Sequence, residues 1–203
     1  MEAHAQVTAL FEAIQEAGIK GIRNLHPAFR SLLVVYNPLL WTPERLTQRL
    51  DDVATQAGQI RETREVVNLP VCFSAEFAPD LGRVCAASDL STDAAIALFL
   101  SGSYHVAFLG FAPGFPYLLG LPPKLATARH ARPRTCVPAG SVGIAGEQTG
   151  IYPADIPGGW QIVGRTPLRL FDPAREPMSL LQPGDAVRFI AIDESRYEVL
   201  SQW

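Results

Sequence analysis

The chain has 203 residues, enough for one large domain or two small ones. Hydrophobic residues make up 48% and charged residues 18%, a balance that builds a globular core. A net charge of -3 argues against general nucleic-acid binding, and no stretch reaches the roughly 18 apolar residues of a membrane span.

In chain order, Val7, Leu10, Phe11, Ile14 and Ala17 recur at helical spacing, and Gly18 can end that helix. Residues 19–25 read as a strand. Residues 30–36 (RSLLVVY) read as a stronger one, rich in β-branched and aromatic side chains, broken by Asn37-Pro38. Thr42 offers an N-cap, with Pro43 at the first helical position. Leu46, Leu50, Val53 and Ala57 give that helix its apolar face, and Gly58 closes it. A strand near 61–67 completes an α-β-β-α-β order, a ferredoxin-like unit without its first strand. The expected domains are 1–68, small and α/β, and 69–203, with the junction near 68–70.

The second region predicts short helices near 79–87 and 91–100, the latter N-capped by Ser91, then an apolar strand over 104–111. Between Gly110 and Gly184 lie 11 glycines and 12 prolines, a density that alone suggests disorder. Aromatic and aliphatic anchors are threaded through it, so a compact barrel of short strands and tight turns is the better reading. Residues 185–200 predict two more strands, AVRFIAI and YEVL, around the turn Asp193-Glu194-Ser195.

Three segments are candidates for chemistry. The run 110–117 (GFAPGFPY) sets Phe111, Phe115 and Tyr117 on a stiff Pro/Gly scaffold; it reads equally as a binding surface or as a structural corner. In 133–146 (PRTCVPAGSVGIAG), Gly140, Gly143 and Gly146 let backbone N–H groups approach a ligand, or simply form a barrel turn. This is not a Walker A loop, a G-x-S-x-G elbow around Ser141, or a dinucleotide fingerprint. In 148–167, Gln148, Tyr152, Gln161, Arg165 and Thr166 can orient a small polar substrate under Trp160; alternatively, Trp160 is core and Arg165 a surface charge. Residues 110–170 carry six Lys/Arg against two Asp/Glu, which favours an anionic ligand if several arginines share one groove. The histidines show no metal-ligand spacing, and Cys72, Cys85 and Cys136 form no C-x-x-C pair, so structural thiols and no metal site are expected. Residues 1–6 lack the basic and apolar regions of a signal peptide, which leads to the expectation of a cytoplasmic protein without a membrane partner.

The run 108–173 (FLGFAPGFPYLLGLPPKLATARHARPRTCVPAGSVGIAGEQTGIYPADIPGGWQIVGRTPLRLFDP) closely resembles the family of 5-oxoprolinase B-type subunits, also labelled allophanate hydrolase subunit 1, which includes KipI-type inhibitors of a sporulation histidine kinase. Residues 26–38 (HPAFRSLLVVYNP) resemble the family's N-domain hairpin, and 76–81 (EFAPDL) its interdomain segment. The resemblance implies a small α/β N-domain followed by a cyclophilin-like β-barrel, overall an α+β chain. It implies a hetero-oligomer in which a B-type subunit, a C-type subunit of related barrels and an A-type subunit cleave 5-oxoproline to glutamate. ATP would be used with Mg2+, bound by the assembled complex. The KipI branch offers the alternative of a kinase-binding regulator, and allophanate an alternative small anionic amide. Members usually open with a strand carrying a G-D-x-A-L-like run; here Met1 leads almost directly into the helix, so either the start is truncated or misassigned or the first strand is missing, and its loss would leave an unpaired sheet edge.

The chemistry of that reaction asks for cations and oriented N–H donors. Arg134, Ser141 and Arg165 are assigned catalytic roles on that basis. Phe115, Gly140, Gln148, Tyr152 and Trp160 are assigned to substrate binding.

Overall fold

The computed structural model describes residues 2–56 and 66–202. By contacts the chain divides into two compact units, Met1–Arg64 and Glu65–Trp203.

In the first unit, helix α1 (Glu2–Ala17) buries Val7, Phe11 and Ile14, the residues set at helical spacing. Gly18 ends it at φ 52°, a conformation glycine adopts without steric cost. Strands β1 (Ile22–Pro27) and β2 (Leu32–Tyr36) pair antiparallel, from Ile22 opposite Tyr36 to Pro27 opposite Leu32. Helix α2 (Pro43–Gln56) starts at proline, and the Arg45 N–H donates to Thr42 Oγ1 at 3.4 Å. Leu46 and Val53 form its buried stripe. The described order is therefore α-β-β-α. Of the strand expected over 61–67, residues 61–65 lie outside the described residues, as does Gly58. Val66 and Val67 open a barrel strand instead of closing this unit, because their strand ladders along its whole length with a strand from the chain's end.

The second unit contains β3 (Val66–Cys72), α3 (Leu81–Ser88), α4 (Thr92–Leu100), β4 (Tyr104–Leu109) and β5 (Pro116–Leu119), then a 3-10 turn at Pro123–Leu125. It continues with β6 (Arg134–Val137), β7 (Ser141–Ala145), β8 (Gln148–Ile151), β9 (Ile156–Gly158), β10 (Gln161–Arg165), β11 (Ala186–Ile192) and α5 (Glu194–Leu200). Seven of these strands close into a barrel in the order β10-β3-β11-β4-β5-β8-β7. The pair β3–β11 is parallel, in register from Val66 opposite Ala186 to Cys72 opposite Ile192; the other neighbours are antiparallel. Strand β10 meets β3 only at Arg165 and Cys72, which leaves the edge beside Pro70 free of a ladder, where proline is tolerated. Alternation aims Leu69, Val71, Val106, Leu118, Val142 and Ile144 into one core. Strands β6 and β9 form a separate ribbon.

One expected strand is a helix. The YEVL segment belongs to α5, because Asp193 caps it. The Asp193 side chain accepts from the Arg196 N–H at 2.8 Å, in an extended conformation that starts a helix and ends a strand. Tyr197 then stacks on Phe77 at 4.3 Å, which holds the helix against the unit. Among the described residues, no helix is long and apolar enough to cross a membrane.

Candidate functional site

The densest polar constellation forms around Asp80, which precedes α3. An aspartate there ordinarily caps the helix, but this side chain makes no cap bond. Its Oδ2 accepts from the Ile162 N–H at 2.7 Å, while its own N–H donates to the Ile162 carbonyl at 3.0 Å. Two backbone-anchored bonds thus fix the carboxylate beside β10. Its Oδ1 accepts from Arg134 Nη2 at 2.7 Å. His130 Nε2 lies 3.1 Å from the same oxygen, off the line of an aligned hydrogen bond.

The elements around it explain these positions. The ribbon places Arg134 opposite Gly158. A Cβ on Gly158 would sit 2.2 Å from the Tyr152 hydroxyl, so only glycine lets the ribbon lie on that ring. The loop carrying His130 is tied to the β9–β10 turn: the His130 N–H donates to the Gly159 carbonyl at 2.6 Å, and Gln161 Nε2 donates to the Ala128 carbonyl at 2.7 Å. Arg83 Nη1 approaches His130 Nδ1 at 3.4 Å.

Burial pushes the Asp80 pKa up, but bonds from Arg134, the Ile162 N–H and His130, with the Arg134 charge, outweigh it and hold the carboxyl below its ordinary value. Asp80 is therefore a fixed anion at neutral pH. Arg134 Nη1 is buried and has no hydrogen-bond partner among the described residues, while His130 Nε2 is buried in its 3.1 Å contact with Asp80 Oδ1. A buried guanidinium N–H without a partner, beside a fixed counter-anion, is the type of donor that can hold a carboxylate or an oxyanion.

The structure separates the residues singled out from sequence. Arg134 sits in this cluster. Arg165 lies three residues along β10 from Ile162, about 10 Å away at strand rise. There Arg165 Cζ stands 5.0 Å over the Phe77 ring, and Arg165 pairs across strands with Ser141 and Cys72. Ser141 is fully buried, and its Oγ has no hydrogen-bond partner among the described residues. The Gly140 N–H is committed to the Tyr152 carbonyl at 2.7 Å, and the Gly140 carbonyl accepts from the Thr166 N–H at 2.9 Å. Phe115 and Tyr152 are each 1% exposed and form a small apolar cluster with Val137 and Ile162, against which Trp160 packs. Burial raises the Tyr152 hydroxyl pKa. Gln148 begins β8 half-buried, opposite Ala145.

Sequence reasoning does not reach Asp80 or His130. Asp80 stands where an N-cap would stand, and His130 carries no metal-ligand spacing. The readable signal is a His-x-x-x-Arg pair (His130, Arg134) in a basic, glycine-rich segment that needs a carboxylate partner.

Over residues 1–181 the chain matches the family model described as carboxyltransferase domain, subdomain C and D. Barrel and match together define a carboxyltransferase-type protein. It is 40% identical over 216 residues to the 5-oxoprolinase B-type subunit of Bacillus subtilis (strain 168), covering 99% of this chain and 90% of that one. It is 47% identical over 156 residues to the 5-oxoprolinase B-type subunit of Escherichia coli O157:H7, covering 75% of this chain and 72% of that one. The crystal structure of TTHA0988 superposes with TM-score 0.82 at 38% identity over 95% of this chain, which spans 37% of that longer protein. The chain belongs to the family of 5-oxoprolinase B-type subunits.

Proposed function

We propose that this chain is the B-type subunit of an ATP-dependent 5-oxoprolinase and that it works with A- and C-type subunits to hydrolyse 5-oxoproline to glutamate. The observation that carries the site's role is buried Arg134 Nη1, which has no hydrogen-bond partner among the described residues, beside the Asp80 anion and its 3.1 Å contact with His130 Nε2. The named relatives support the substrate, and none of them favours a kinase regulator or an allophanate enzyme. The cytoplasm is the proposed location. On the same reading the barrel is cyclophilin-like, and the N-terminal unit is a ferredoxin-like fold.

5-Oxoproline is an unstrained lactam with a carboxylate beside the amide. Arg134 and His130 would hold that carboxylate or the lactam oxygen, with Asp80 fixing the direction of the Arg134 fork. Phosphoryl transfer from ATP to the lactam oxygen releases ADP and activates the ring carbon. One water then adds at that carbon and the ring C–N bond breaks, the nitrogen leaving as the amine, to give γ-glutamyl phosphate; a second water hydrolyses this acyl phosphate to glutamate and phosphate. The donors here would hold the anion through these changes. Nucleotide and Mg2+ handling is assigned to the assembled complex. The chain alone is expected to be inactive.

The test is ATP-dependent glutamate release by this chain co-expressed with A- and C-type subunits. Release that disappears when this chain is omitted supports the reading. A well-formed complex that releases none sinks it.

A further inference from the structure

We propose that a cavity between α5 and the segment following β10 binds an organic phosphate of nucleotide size, with its phosphates on Arg169 and its apolar body on Leu168, Leu180 and Leu200. The cavity has a volume of about 880 Å3, within the roughly 300–1,000 Å3 of pockets that take small-molecule ligands. None of Asp80, His130, Arg134 and Ile162 lines it, so it is a second site and not an extension of the Asp80 cluster.

Sequence and packing leave this space open. Tyr197 and Leu200 are three residues apart and share one face of α5. Both line the cavity, and α5 buries none of its residues fully. The stack of Tyr197 on Phe77 fixes where the helix stands. Across from it, the segment after β10 supplies Leu168 and Leu180. Apolar groups that face an open cavity gain their full burial only when a ligand covers them.

Positive charge exceeds negative charge around the same space. Arg169 and Arg175 line it, and Arg165 stands behind, hydrogen-bonded to the hydroxyl of Tyr197. Asp172 is the one acidic residue in the lining. Its Oδ2 accepts from Arg169 Nη1 at 3.2 Å and its Oδ1 from the Ala174 N–H at 2.9 Å. Arg175 instead donates to backbone carbonyls: Nε to Pro177 at 3.2 Å, Nη1 to Arg169 at 3.4 Å, and Nη2 to Leu170 at 3.3 Å and Met178 at 3.1 Å. Those bonds fix the Arg175 charge in the wall without neutralising it. The Asp172 contact engages only Arg169 Nη1, and the Arg169 side chain is 74% exposed, so its remaining N–H donors can turn to a ligand. Arginine binds phosphate through paired N–H donors. A small lactam would leave most of this volume empty, whereas a nucleotide has the size, the negative charge and an apolar body.

The experiment is a calorimetric titration of the full chain with ATP and with inorganic phosphate. ATP should bind, and inorganic phosphate should bind about tenfold or more weakly, because it cannot use the apolar wall. Arg169→Ala should weaken ATP binding about tenfold with the melting temperature unchanged, since that side chain is exposed. Arg134→Ala should bind ATP as wild type does, and 5-oxoproline should not displace ATP. Wild type that binds no ATP, or Arg169→Ala that binds it equally well, overturns the proposal. Loss of ATP binding in Arg134→Ala, or displacement by 5-oxoproline, also overturns it, because the nucleotide then sits at the Asp80 cluster. Phosphate bound as tightly as ATP would show the apolar wall unused and overturn the ligand class. Each readout is binding, so the result is independent of the 5-oxoprolinase reading, which glutamate release by the wild-type complex decides separately.

Discussion

Replacing Asp80 should cost far more in stability than an ordinary surface carboxylate. Asp80→Ala leaves the buried Ile162 N–H without its acceptor, a loss of about 1–3 kcal/mol. It also removes the 2.7 Å bond from Arg134, whose side chain is 33% exposed, so solvent screening discounts that bond to about 1 kcal/mol. The sum is about 2–4 kcal/mol, or roughly 5–15 °C in melting temperature for a unit of this size. Asp80→Asn keeps an oxygen for Ile162 and should lose only about 1 kcal/mol. The pH dependence has a definite sign. The folded pKa is depressed, so the carboxylate's contribution is fully present above the unfolded value of about 3.9 and fades as pH falls through the lower folded value. The stability gap between wild type and Asp80→Asn should therefore be constant near neutrality and close in strong acid. Denaturant titrations of all three proteins from pH 7 to pH 3 measure it. A loss below about 1 kcal/mol for Asp80→Ala, or a gap that widens on acidification, would refute this reasoning.

Two further changes test local features of the barrel unit. Gly140→Ala should destabilise by about 3 kcal/mol, since φ is 79° and the new Cβ would sit 2.1 Å from the Thr166 carbonyl oxygen; a chemical denaturation curve that coincides with wild type would contradict it. Asp193→Ala should remove about 1 kcal/mol of helix capping. Faster amide exchange confined to residues 194–200 is the expected result, and unchanged protection there would show that α5 is held by Tyr197 alone.

The parts of the fold legible in the sequence are those written in local patterns. The stripe Val7, Phe11 and Ile14 reads directly as one buried helix face. Ser91 reads as a cap, and its side chain does accept from the Ala94 N–H at 3.2 Å. The glycine- and proline-rich segment reads as short barrel strands because apolar anchors are threaded through it, and most of these are buried in the main core or in the smaller Phe115 cluster. What is not legible depends on partners distant in sequence. Asp80 is 54 residues from Arg134 and 82 from Ile162, and only the closed barrel brings them together. Strand β3 escapes a local reading for the same reason: its ladder partner β11 comes from the end of the chain. The YEVL helix reads as a strand because valine and tyrosine favour strands, and one capping carboxylate outweighs them. Ser141 and Arg165 share their residue types with a catalytic site, but register sets them opposite each other on β7 and β10, where Arg165 stands over Phe77 rather than joining Arg134 at Asp80.

The most direct measurement is glutamate release by the assembled enzyme carrying Arg134→Ala, with melting temperature recorded on the same preparation. Loss of an anion-binding donor should lower kcat/KM for 5-oxoproline about a hundredfold or more. The complex should stay assembled, with its melting temperature lowered by no more than a few degrees. Full activity in an intact Arg134→Ala complex would contradict the assignment of the Asp80–His130–Arg134 cluster as the substrate-anion site.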